Sequence, residues 1–139
     1  MVSPRYLLDS NVVSEPTHPQ PDEIVLERIR AHRDELAIGA PVWLELLFGY
    51  HRLPQSRRRQ EIERYLEDVV RATMPILPYD AAAEWHAAER ARLVSAGRTP
   101  SFIDGQIAAI AVTNGLTLVT ANVADYRAFA DLVIEDWRS

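Results

Sequence analysis

Four carboxylates interrupt apolar sequence at widely separated positions: Asp9, Glu45, Asp104 and Asp125. Asp9 ends the run Tyr6-Leu7-Leu8, Glu45 lies within Val42-Trp43-Leu44-Glu45-Leu46-Leu47-Phe48, and Asp104 opens a stretch that runs through Ile107 to Ala111. Asp125 follows the apolar run Leu116–Thr120 in the segment TANVADY. Each has an ordinary structural use. Asp9 can cap a helical turn. Glu45 can pair with Arg52 or face solvent. Ser101-x-x-Asp104 has the form of a capping box, and an acid in a first turn suits the helix dipole. Asp125 can be a turn residue. A lone ionised carboxylate in surroundings as apolar as those of Glu45 costs several kcal/mol unless it is paired or bound to a metal.

Together the acids suggest chemistry. Carboxylates gathered in one pocket repel each other until a proton or a cation relieves them. Oxygen-only ligands suit Mg2+ or Mn2+, and Mg2+ is commonly held by one or two carboxylates together with substrate phosphates. The corresponding reaction is phosphodiester hydrolysis, in which such an ion activates water and stabilises the leaving oxygen.

The elements needed to gather these acids can be read from the pattern. Short apolar strands are expected at Arg5–Leu8, Leu36–Ile38, Pro75–Leu77, Leu116–Thr120 and Leu132–Ile134. A helical turn is expected at Ser10–Ser14. Helices are expected at Glu23–Arg33, from Pro41 to about Leu53, through Ile62–Thr73, at Asp80–Ser95 and at Ser101–Asn114. Gly97 and Gly115 mark the ends of the last two. Strands alternating with helices predict an α/β sandwich around a central, mainly parallel sheet. Ligands of such sheets sit beyond the carboxyl ends of the strands, where the strand order reverses. The helix at Pro41, apolar nearly all round, is expected to be buried on most sides.

Composition narrows the field. The 139 residues fit one domain, 1–139. With no lysine, neither a P-loop nor Schiff-base catalysis is available. No cysteine means no disulfide and no thiolate zinc site. A net charge of −5 excludes a general polyanion binder, so any nucleic-acid contact must be local or through a metal. There is no signal-peptide pattern, and no apolar run long enough to span a bilayer. A soluble, cytoplasmic protein is therefore expected.

At the acidic residues the chain resembles the PIN-domain family, and in particular its VapC-type toxins. YLLDSNVVSEP resembles the family's opening, and DSNVVSEPTHPQPDEIV is especially similar to the FitB-like branch. VWLELLFGY, FIDGQIAAIA and LVTANVADY resemble the later motifs, with Glu45 and Asp104 as the acids of the second and third. The resemblance runs from Arg5 to Trp137, and the four motifs in this order are strongly specific. It implies a three-layer PIN-like sandwich and a Mg2+- or Mn2+-dependent endoribonuclease toxin acting on structured RNA. It also implies a VapB-like antitoxin that blocks the site and binds operator DNA, and a homodimer. Asp9, Glu45 and Asp104 are the implied catalytic and metal-holding residues. Some relatives carry an acid two residues after the threonine, where this chain has Asn122, so Asp125 is the alternative fourth carboxylate. Ser10, Thr120 and Asn122 are candidates for supporting hydrogen bonds or for positioning water.

Two other readings compete. One is a metal-dependent phosphohydrolase of small phosphate esters. The haloacid-dehalogenase type needs a second aspartate where Asn11 stands, and a lysine that is absent. The other is a PIN-like module that has lost catalysis and acts only by binding its antitoxin and DNA. Arg57-Arg58-Arg59 reads either as a grip on RNA phosphates or as a solvated face balanced by Glu61, Glu63 and Glu67. The four histidines show no metal-ligand spacing and read as structural or surface residues.

Overall fold

The computed structural model describes residues 3–138; residues 1, 2 and 139 of the expected domain lie outside the described residues. Five short strands form one sheet: β1 (Tyr6–Leu8), β2 (Leu36–Gly39), β3 (Ile76–Leu77), β4 (Thr117–Val119) and β5 (Ile134–Glu135). Their order is β3-β2-β1-β4-β5, and every pairing is parallel, so the sheet is wholly rather than mainly parallel. Tyr6, Leu7 and Leu8 stand opposite Thr117, Leu118 and Val119, while Tyr6 and Leu7 also pair with Leu36 and Ala37.

Successive residues of a strand point to opposite faces of the sheet. All of β1 and β2 is buried, so helices cover both faces, as an α/β sandwich requires. The chain adds strands outward from β1 in one direction, then crosses to β4 and β5 on the other side. The order therefore reverses between β1 and β4, where open parallel sheets bind their ligands.

The helices are α1 (Ser10–Val13), α2 (Glu23–Ala31), α3 (Ala40–His51), α4 (Arg57–Tyr65), α5 (Ala83–Ser95), α6 (Phe102–Thr113) and α7 (Val123–Tyr126). The turn α7 has no counterpart in the expected elements. The helix expected through Thr73 is α-helical to Tyr65 and then widens to a π-helical segment over Leu66–Arg71. The helix expected from Asp80 starts as a 3-10 turn over Asp80–Ala82. Gly97 and Gly115 both take positive φ where α5 and α6 end.

The expected burial of α3 is not observed. Pro41 and Val42 are buried, but Leu44 and Phe48 are each 60% exposed. Apolar residues all round a helix predict a covered helix, and this chain by itself leaves one side of it open. Among the described residues no helix is long and apolar enough to cross a membrane.

The arginine run ties elements together. Arg59 donates to the carbonyl of Leu53 at 2.6 Å and lies 4.4 Å from the centre of the Tyr50 ring, which closes the carboxyl end of α3. Arg58 donates to the carbonyl of Thr17 at 2.6 Å.

Candidate active site

Asp9 leaves β1 with its backbone still in the sheet, its N–H donating to the Val119 carbonyl at 2.9 Å. Its own carbonyl then accepts from the N–H groups of Val12 and Val13, which starts α1. The side chain is 5% exposed and its two oxygens have different partners. Oδ1 accepts the Ser10 N–H at 2.8 Å. Oδ2 accepts the Thr120 hydroxyl at 2.8 Å and the Tyr126 hydroxyl at 3.2 Å. Asp9 therefore caps a helix with one oxygen and faces the switch point with the other, so its two readings do not compete.

Thr120 follows β4 and is fully buried. Its hydroxyl donates to Asp9 and accepts the Asn122 N–H at 3.0 Å. Asn122 is exposed and starts α7 without a side-chain cap. Asn11 Oδ1 accepts the Ala121 N–H at 3.1 Å, a second link between the ends of β1 and β4.

Asp104 lies in the first turn of α6, where its N–H donates to the Ser101 hydroxyl at 3.1 Å, one half of the expected capping box. Its carboxylate turns toward the Tyr126 hydroxyl, 3.3 Å from Oδ1. The next residue, Gly105, is packed against the buried His86 of α5, whose Nδ1 meets the Tyr79 hydroxyl at 2.6 Å. Burial lowers the pKa of that histidine, with the charge of Arg90 adding to the effect. It is a structural residue, as its sequence context suggests.

Of the uses open to Glu45, it faces solvent: it is exposed, on a helix expected to be buried, and it pairs neither with Arg52, which lies over the Phe48 ring, nor with any other cation among the described residues. Partial burial raises its carboxyl pKa, and the charges of Asp9 and Asp104 raise it further. Burial also raises the pKa of Asp104; the Ser101 and Tyr126 hydroxyls work against this, and the charges of Asp125 and Asp9 add to it. The fold thus brings Asp9, Glu45, Asp104 and Asp125, from four separate segments, into one electrostatic neighbourhood. Asp125 sits at the exposed side of α7.

A groove of about 620 Å3 is lined by Glu45, alone of the four acids, together with Ser10, Asn122, Tyr50, Arg58 and Tyr65. Among the described residues no three acidic or histidine side chains are grouped tightly enough to hold a metal by themselves. The donor set still suits a hard divalent cation. It consists of carboxylate oxygens whose charges oppose one another, and Mg2+ ordinarily needs only one or two of them. Sequence reasoning did not find Tyr126, which touches both Asp9 and Asp104. A tyrosine at the end of a short turn reads as core, and nothing in its local sequence reveals that its hydroxyl reaches two distant acids.

The PIN domain model matches residues 6–131 of the chain. The chain is 33% identical to VapC ribonuclease Y4jK of Sinorhizobium fredii, over 94% of this chain and 96% of that protein. It is 29% identical to the tRNA(fMet)-specific endonuclease VapC of Shigella flexneri, over 96% and 98% of the two chains. Among solved structures it is similar to the DNA-bound VapBC of Salmonella typhimurium, with 26% identity, a TM-score of 0.83 and coverage of 96% and 98%.

Proposed function

Since the chain belongs to the PIN-domain family, in its VapC-type ribonuclease branch, we propose that it is the toxin of a toxin–antitoxin pair and cleaves RNA with a divalent cation held by Asp9, Glu45, Asp104 and Asp125. The observation that carries this reading is that Asp9, at the β1/β4 switch point, shares the Tyr126 hydroxyl with Asp104, while Glu45 feels the charges of both and Asp125 acts on Asp104, with no arginine or histidine paired to any of them among the described residues.

Mg2+ or Mn2+ bound there supplies Lewis acidity toward water, the scissile phosphate and the departing oxygen. The chain's own residues prepare the place. Asp9 is held by the Ser10 N–H and the Thr120 hydroxyl, with the Tyr126 hydroxyl in reach, and Oδ1 keeps a lone pair free. Thr120 fixes that carboxylate and, through the Asn122 N–H, the start of α7 that carries Asp125. The carboxylates of Glu45 and Asp125 accept no hydrogen bond among the described residues, so both remain free to turn toward a ligand. Ser10 and Asn122 line the groove where water and the RNA strand would be oriented. Structured RNA is the proposed substrate, and the tRNA(fMet) named for the Shigella flexneri relative makes tRNA the first to try.

A VapB-like antitoxin is the proposed partner. The likeness to VapBC supports it, as do the exposed Leu44 and Phe48 of α3, an apolar face suited to a protein partner. Operator DNA would be bound through that antitoxin, and the toxin itself is proposed to form a homodimer.

The test is cleavage of cellular RNA by the purified protein in Mg2+ or Mn2+, in EDTA, and by Asp104→Asn. Discrete, metal-requiring cleavage that is lost in the variant is expected. Absence of cleavage by the folded, metal-supplied, antitoxin-free protein would overturn the nuclease reading and leave a binding module.

A further inference from the structure

Tyr126 is 1% exposed and is the one side chain among the described residues that touches two of the four acids. Its ring packs on Phe129, with centroids 6.2 Å apart, and its hydroxyl stands 3.2 Å from Asp9 Oδ2 and 3.3 Å from Asp104 Oδ1. Both distances exceed the 2.8 Å of the Thr120 contact to the same Asp9 oxygen. The phenol therefore lies between the two carboxylates and is not committed to either. A phenol has one hydrogen to donate. Whichever carboxylate lacks that hydrogen faces the lone pairs of the phenol oxygen, a repulsion that a cation near the two acids would relieve.

The acids are held unequally. Asp9 has the Ser10 N–H and the Thr120 hydroxyl besides Tyr126. Asp104 is half-exposed at the start of α6, and apart from Ser101 beside it in that first turn, Tyr126 is the contact that holds its carboxylate. Removing the hydroxyl leaves Asp9 anchored and lets Asp104 swing.

We propose that Tyr126 is a positioning residue, whose buried hydroxyl orients the Asp9 and Asp104 carboxylates toward a shared divalent cation. This rests on the metal-dependent reading above. The hydroxyl acts through the two acids it contacts. Groups of this kind, which orient the ligands of a metal, typically change metal affinity by about 10–100-fold when removed.

The test is Mn2+ binding to the RNA-free protein, followed by electron paramagnetic resonance, for the unaltered chain, Tyr126→Phe and Asp104→Asn. Phenylalanine keeps the ring and its packing on Phe129, and thermal denaturation in EDTA confirms the fold. Mn2+ affinity is expected to fall about tenfold or more in Tyr126→Phe, with cleavage recovered at raised Mn2+. A merely structural hydroxyl would change the melting temperature and leave the affinity alone. Folded Tyr126→Phe that binds Mn2+ as tightly as the unaltered protein would overturn the inference. An unaltered protein that binds no Mn2+ would overturn the metal reading itself, and the inference with it.

Discussion

The Thr120 hydroxyl donates to Asp9 Oδ2 at 2.8 Å across 111 positions of the chain, joining the ends of two neighbouring parallel strands. Both side chains are buried, so the hydrogen bond fixes an ionisable group where water does not compete for it. Thr120→Val keeps the shape and removes the donor. The same change deprives the Asn122 N–H of its acceptor. A loss of about 1–3 kcal/mol of folding stability is expected, with a loss of cleavage of about 10–100-fold. Thr120→Ser should restore most of both. Urea denaturation and RNA cleavage by the three proteins check this, and unchanged cleavage by Thr120→Val would show that the bond serves packing alone.

The acidic site should make the metal-free protein sensitive to pH. Glu45 and Asp104 both have carboxyl pKa values raised above the ordinary carboxylate range, chiefly by burial and then by neighbouring acids. A carboxyl whose folded pKa exceeds its unfolded one keeps its proton to higher pH in the native state. Its contribution to stability is therefore best below the ordinary value of about 4 and declines as pH rises through the raised one. In EDTA, Glu45→Gln should melt at a higher temperature than the unaltered protein near neutral pH, and the difference should shrink on acidification. Mn2+ should raise the melting temperature of the unaltered protein more than that of the variant. A Glu45→Gln protein that melts at the unaltered temperature near neutral pH would remove the case for mutual repulsion.

Much of this arrangement was legible in the sequence because strand ends are marked by chemistry. Asp9 and Thr120 stand where apolar strands stop, positions that a parallel sheet gathers along one edge, and Asp104 stands where an apolar helix begins. The alternation of strands and helices led to the α/β class and, apart from single residues at their ends, to the first four strands, while the fifth, expected at Leu132–Ile134, shares only Ile134 with β5. The surroundings of Glu45 were misread for a physical reason. A run of apolar residues records that a helix avoids water, not which molecule excludes the water, and Leu44 and Phe48 remain open in this chain. The reach of Tyr126 was hidden because hydrogen bonds across a fold leave no periodicity in the sequence. The same holds for Arg59, whose guanidinium caps the preceding helix instead of balancing nearby glutamates.

Gly105 tests how closely α5 and α6 must approach to present Asp104. A Cβ at this position would lie 2.2 Å from His86 Nε2, and His86 is 4% exposed with its other ring nitrogen engaged by Tyr79. The ring has little room to retreat, so Gly105→Ala should cost about 1–3 kcal/mol through overpacking. The displaced turn carries Asp104, and cleavage should fall with it. Gly49→Ala, in α3, is the control. Nothing lies within 4 Å of its added Cβ, so the change should be neutral or stabilise by up to about 1 kcal/mol. Equal melting temperatures for the two variants would show that the α5–α6 contact yields easily.

Glu89 is a buried acid away from the candidate site, yet it holds the segment that follows α7. Its carboxylate, 6% exposed, takes two bonds of 2.7 Å from Arg92 and one of 2.6 Å from the Ala130 N–H, while Arg92 also donates to the Ala128 carbonyl at 3.0 Å. Arg92 holds the Glu89 pKa below the ordinary carboxylate range, with help from the Ala130 N–H. For a depressed carboxyl the stabilisation is present above the unfolded value of about 4.3 and disappears as pH falls through the lower folded value. Glu89→Gln keeps one acceptor and loses the charge. It should reduce stability by about 1–3 kcal/mol near neutral pH, with the gap to the unaltered protein closing in acid. Because the released segment adjoins Tyr126 and Asp125, cleavage should fall in Glu89→Gln below the temperature at which it unfolds. Urea denaturation at neutral and acidic pH, paired with RNA cleavage, separates the two effects. A variant that is less stable but fully active would show that this buried pair holds the fold without governing the site.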